Sequence, residues 1–155
     1  MRASMRAMSP GGGDRYGVLG SRHRVLVIDD HIDTGETLAA ILEVGGHDVK
    51  SATNGKSGIR IATEFRPDVV LLDIDLPDQD GYRVADTLRT GAATKDTLII
   101  AISGIARVDE LRRMGFDKHL SKPIRRSSST RAMPEIAMIS VSFVAAPVRS
   151  VSATR

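Results

Sequence analysis

The sequence predicts one α/β domain built on a doubly wound, parallel, five-stranded sheet with helices on both faces. Three observations carry that expectation. Residues 25–28, 69–72 and 98–102 are short, almost wholly apolar runs rich in β-branched side chains, as suits strands buried on both faces. The stretches between them repeat apolar residues at helical spacing. The connections are short, which favours one layer stack with right-handed crossovers.

Each element follows in order. After the run at 25–28, Leu38, Ile41 and Leu42 share a helical face, and Gly45-Gly46 is a stop signal. Residues 49–52 form a weaker strand candidate. Gly58, Ile61, Ala62 and Phe65 define a second helix, ended by Arg66-Pro67. The run at 69–72 precedes a third helix carrying Gly81, Val84, Ala85 and Leu88. The run at 98–102 precedes a short fourth helix over 107–114, ending at Gly115, and 118–120 is the last strand candidate. Beyond Pro123 the pattern fails. Ser127-Ser128-Ser129-Thr130 resembles a linker. Ile136, Ile139 and Phe143 fit a helix, whereas Ile139, Val141 and Phe143 fit a strand. The sequence does not arbitrate, and no convincing fifth helix follows.

The 155 residues allow one ordinary domain. Residues 1–22 read as a flexible basic arm, 23–124 as the folded domain and 125–155 as an atypical tail, an irregular fifth helix or disorder. The net charge of +3 conceals a division: residues 1–24 carry five Arg against Asp14, and residues 125–155 five Arg against Glu135. Residues 25–124 hold 12 basic and 17 acidic groups. An acidic body is a poor footprint for a phosphate backbone, so no direct nucleic-acid contact is expected. With no cysteine, a disulfide framework, a thiolate zinc site and a thiol nucleophile are excluded. No stretch reaches the roughly 20 apolar residues needed to span a bilayer, and none resembles a secretory signal. The expected location is the cytoplasm.

In a doubly wound sheet, sites form beyond the carboxyl ends of the strands. Asp29 and Asp30 follow the first run, Asp73 the third strand with Asp75 two residues on, Ser103 the fourth and Lys122 the fifth. Adjacent strands would gather carboxylates, a hydroxyl and an ammonium at one end. Clustered carboxylates repel unless a cation or protons intervene, and Mg²⁺ suits an oxygen-ligand site that keeps waters and meets phosphate. A carboxylate can also attack phosphorus to give an aspartyl phosphate. Lys122 would then neutralise charge on the transferring group, and the Ser103 hydroxyl would donate to one of its oxygens. No glycine-rich phosphate loop appears, which points to a phosphoprotein or small phosphodonor.

The stretches VLVIDDH (25–31), RPDVVLLDIDLPDQDGYRVADTLR (66–89), IIAISG (99–104) and FDKHLSKP (116–123) resemble the receiver domain of two-component response regulators. That resemblance implies a flavodoxin-like fold in which Asp73 is the phosphoacceptor. Asp30 becomes a direct Mg²⁺ ligand, Asp29 acts through water and Asp75 contributes its backbone carbonyl. Ser103 becomes the switch hydroxyl and Lys122 the phosphate-binding lysine; Pro77 and Gly81 match the loop after the acceptor. It implies phosphotransfer from a sensor histidine kinase or phosphotransfer protein, a conformational relay to a downstream protein, and no catalysis beyond the module's own phosphorylation and dephosphorylation.

Three departures accompany the resemblance. His119 stands where an aromatic is usual. Ser103 and Lys122 are 19 residues apart, about three fewer than usual, which shortens the fourth helix. The fifth helix is missing from the pattern, and an uncovered sheet face would favour self-association as a homodimer. Two other functions compete. LLDIDLP also resembles the nucleophile motif of haloacid-dehalogenase-type phosphatases, although Asp29 and Asp30 lie upstream, against that family's order. A degenerate receiver that only binds protein is the other, disfavoured by a full set of pocket residues. The histidines at 23, 31 and 47 read as exposed or capping residues.

Overall fold

The computed structural model describes residues 22–104 and 108–122. Five parallel strands, β1 (Arg24–Ile28), β2 (Asp48–Ala52), β3 (Val69–Asp73), β4 (Leu98–Ser103) and β5 (Lys118–Ser121), alternate with four helices. These are α1 (Ile32–Val44), α2 (Gly55–Phe65), α3 (Gly81–Thr90) and α4 (Val108–Arg113). The sheet order is β2-β1-β3-β4-β5, so the winding direction reverses between β1 and β3, where such sheets open a crevice. Tail and arm lie outside the described residues, as do the proposed fifth helix and the uncovered face.

The three apolar runs occupy the middle of the sheet, with every residue of β3 buried and four of five in β1. Alternation of side chains divides them between two cores. Leu26, Ile28, Val70, Leu72, Ile99 and Ala101 pack with Ala62 of α2, with Val84, Ala85 and Leu88 of α3, and with Leu111 of α4. Val25, Val27, Val69, Leu71, Ile100 and Ile102 pack with Leu38 and Leu42 of α1. Helices thus cover both faces.

The helix stops work as the sequence indicates. Gly46 closes α1 at φ 92°, a left-handed conformation that favours glycine. Arg66 caps α2 at φ 49° while its N–H reaches the Ala62 carbonyl, and Pro67 cannot continue the helix. Two placements differ from expectation. Asp73 and Ser103 are the last residues of β3 and β4 rather than the first beyond them. His23, expected to be exposed or capping, is buried, because its ring stacks on His47 at 5.6 Å between centroids.

Candidate functional site

At the carboxyl end of the sheet, register brings the chemistry together. β1 and β3 pair directly, with Ile28 opposite Leu72, which sets Asp29 beside Asp73. Asp73 lies opposite Ile102, and Ser103 opposite Ser121. The Lys122 N–H donates to the Ser103 carbonyl at 3.0 Å. Lys122 reaches back over β4 so that Nζ donates to Asp73 Oδ2 at 2.8 Å. The same ammonium lies 3.3 Å from Asp29 Oδ2.

Asp29, Asp73 and Ser103 are buried and Asp30 is half-buried. The Asp29 carboxylate accepts from the His31 N–H at 2.9 Å, and Asp73 Oδ1 accepts from the Asp75 N–H at 3.1 Å. Asp29 Oδ2 and Asp30 Oδ1 are nevertheless buried with no aligned hydrogen bond among the described residues. Three carboxylates against one ammonium leave an excess of two negative charges, and proton affinities respond. Burial foremost, then the Asp29 charge, pushes Asp73 above the usual carboxylate range, against its bonds to Lys122 and the Asp75 N–H. Lys122 is also raised: burial alone would lower it, but its bond to Asp73 and the Asp29 and Asp73 charges outweigh that cost. Burial thus dominates at Asp73, whereas the neighbouring carboxylates dominate at Lys122.

A divalent cation would balance that excess. One ligand atom from each of Asp29, Asp30, His31 and Asp73 lies within 4.8 Å of the others. Mg²⁺ takes hard oxygen ligands, and three of these four residues offer carboxylate oxygens. The donor set therefore fits the ion. Asp75 brings no carboxylate to this cluster, and its side chain is exposed.

The loop after Asp73 is held from two sides. Asp78 accepts from the Gly55 and Lys56 N–H groups at 2.8 and 2.9 Å, tying the loop to the start of α2. At Gly81 a Cβ would stand 2.6 Å from the Asp73 carbonyl oxygen and 2.7 Å from Ile74 Cα. A side chain there would push on the backbone of Asp73 and Ile74. The sequence motif marks Gly81, but nothing in it marks Asp78, whose partners lie more than 20 residues upstream. His31 was equally hidden, although a histidine directly after two aspartates at a helix start was a signal.

The response regulator receiver domain model matches residues 25–133. Transcriptional regulatory protein PrrA of Mycobacterium tuberculosis is 38% identical over 103 residues, 64% of this chain and 43% of that protein. Protein PilH of Pseudomonas aeruginosa is 35% identical over 104 residues, 65% of this chain and 86% of PilH. The chain thus spans less than half the length of PrrA and most of the length of PilH. Chemotaxis response regulator CheY4 of Vibrio cholerae shares the fold with a TM-score of 0.67 at 22% identity, over 80% of this chain and 99% of that one. No described helix is long and apolar enough to cross a membrane. Sheet order, the acidic cluster at the switch point and the match over 25–133 agree: the chain belongs to the response regulator receiver domain family, signalling modules that act with histidine kinases or phosphotransfer proteins rather than classical enzymes.

Proposed function

We propose that Asp73 accepts a phosphoryl group from the phosphohistidine of a sensor kinase or phosphotransfer protein, and that the change is relayed to a downstream protein. The observation that carries this reading is the Lys122 ammonium, 2.8 Å from Asp73 Oδ2 and 3.3 Å from Asp29 Oδ2. It sits where a phosphoryl oxygen of an aspartyl phosphate needs a positive charge. An Asp73 carboxylate oxygen attacks phosphorus, the P–N bond to imidazole breaks, and the departing nitrogen takes a proton. Lys122 exchanges its carboxylate partner for a phosphoryl oxygen, and the Ser103 hydroxyl donates to another. Asp30 and Asp73, the Asp75 carbonyl and, through water, Asp29 would hold Mg²⁺. When bound, that ion supplies neutralising charge to the transferring group.

The domain would extend over 23–124, between a basic arm (1–22) and the tail (125–155), and would act in the cytoplasm. The acidic balance of residues 25–124 disfavours a phosphate backbone, so the expected output is a protein contact, with homodimer formation one form of it. The test is intact mass after incubation with a small phosphodonor and Mg²⁺. One acid-stable, base-labile phosphoryl group per chain is expected, because acyl phosphates hydrolyse in alkali. Asp73→Asn should abolish it, an amide being a poor nucleophile. Full labelling of that variant would sink the assignment.

A further inference from the structure

His31 occupies a position that helices usually fill with Ser, Thr, Asp or Asn. It is the N-cap of α1, yet its side chain makes no capping hydrogen bond. Its Nδ1 instead lies 3.0 Å from Asp30 Oδ1 and 3.3 Å from Asp29 Oδ1. The backbone sets this position, since the His31 N–H is anchored on the Asp29 carboxylate at 2.9 Å. The ring therefore sits at the rim of the pocket, exposed on its outer side. Asp30 Oδ1, the atom nearest Nδ1, is buried and has no aligned hydrogen bond among the described residues. An imidazole nitrogen and three carboxylates thus present one donor atom each, all within 4.8 Å of one another.

Such a donor set differs from an all-oxygen one. Mg²⁺ is a hard ion that takes oxygen ligands and gains little from imidazole. First-row transition ions bind imidazole readily. We propose that His31 supplies a nitrogen ligand to the divalent ion held by Asp29, Asp30 and Asp73, so that the pocket favours transition ions such as Co²⁺ over Mg²⁺ by more than its carboxylates alone would. The inference rests on the reading of this pocket as a cation site. It adds a selectivity residue taken from this chain's own α1 start. Because His31 is exposed, its replacement leaves the cores untouched, and metal affinity is separable from folding.

The experiment uses the full chain and Co²⁺ as the probe. A Co²⁺-bound imidazole gives a strongly shifted, exchangeable N–H proton resonance in the paramagnetic NMR spectrum. Wild type should show this resonance, and excess Mg²⁺ should remove it by competition. His31→Phe should lose it, with Co²⁺ affinity about tenfold weaker and Mg²⁺ affinity changed by less than about twofold. If Co²⁺ competes with Mg²⁺ and is lost in Asp30→Ala, but the resonance is absent or survives in His31→Phe, the nitrogen ligand is overturned and the cation pocket stands. If Co²⁺ binding survives Asp30→Ala and ignores Mg²⁺, the ion sits elsewhere, and both readings fall.

Discussion

The two ends of the sheet use the same residue type in opposite ways. At the amino end, Asp68 and Asp117 immediately precede β3 and β5. Asp68 accepts from the Arg24 N–H at 2.7 Å, and Asp117 accepts from the Ile99 N–H at 2.8 Å. Arg89 completes that end: its guanidinium pairs with Asp117 and donates to the carbonyls of Gly115, Lys95 and Thr97. Each of these aspartates joins neighbouring strands and is matched by a donor. At the carboxyl end, Asp29 Oδ2 and Asp30 Oδ1 are buried. Among the described residues they meet only the Lys122 ammonium at 3.3 Å and the His31 ring nitrogen at 3.0 Å, respectively, without an aligned hydrogen bond. The contrast teaches where polar groups serve the fold and where the fold gathers them against their own repulsion to make a site.

The largest effect should come from breaking the amino end. Arg89→Met removes four contacts at once and strands the Thr97 and Gly115 carbonyls, at a cost of about 3 kcal/mol. Urea unfolding should register that loss while Mg²⁺ affinity stays at the wild-type value. A change in Mg²⁺ affinity would mean that the two ends are coupled.

Next comes the response to metal. At a hundred times its dissociation constant, Mg²⁺ should stabilise the protein by about 2.7 kcal/mol through mass action. Asp30→Ala should remove that response, and Asp117→Asn should keep it although it melts earlier. Thermal melts with and without Mg²⁺ distinguish them, and an unresponsive wild type would end the claim of a cation site.

Without divalent ions, Asp73→Asn should melt higher than wild type, by an amount on the order of 1 kcal/mol. Burial and then the Asp29 charge hold Asp73 above 3.8. Its ionisation therefore costs nothing below the unfolded value and the full penalty above the folded one, so stability falls as pH rises between them. The variant's stability should be flatter across that window. A lower-melting variant would mean that the bond to Lys122 outweighs the burial it offsets.

The smallest effect lies at the other end and has the opposite sign. Burial, then the neighbouring His23, lowers His47 below 6.5. Its neutral form is favoured in the fold, so the contribution is present above 6.5 and lost as pH falls through and below it. Because His47 is partly solvent-exposed, a few tenths of a kcal/mol is expected after screening. His47→Gln should reduce the drop in melting temperature between about pH 7.5 and 5.5, and an unaltered slope would assign the drop to other groups.

Legibility in the sequence followed burial. β1, β3 and β4 stand out as unbroken apolar runs because both their faces are covered. β2 and β5 were faint because they are the edges: Lys50 and Ser51 are exposed, as are Lys118 and Ser121. The pocket's core was legible because a parallel sheet places every strand's carboxyl end on one side, so Asp29, Asp73, Ser103 and Lys122 could be gathered from strand ends alone. The contribution of Asp78 was not, since it depends on how a loop folds back on distant backbone; that of His31 was missed although its partners Asp29 and Asp30 immediately precede it. Burial of His23 was missed for the same reason as the contribution of Asp78; its stacking partner lies 24 positions on.

The reach of Lys122 to Asp73 spans 49 positions of chain. At about 5–20 residues per second, a ribosome adds those residues in several seconds. During that interval the emerging chain carries Asp29, Asp30 and Asp73 but not the ammonium that tempers their repulsion. β1 and β3, which bring the carboxylates together, are also complete before β5 exists. Lys122, the counter-charge to those carboxylates, is therefore the last of these pocket residues to be made. A chain cut short before Lys122 accordingly carries these carboxylates without the ammonium that lies between Asp29 and Asp73.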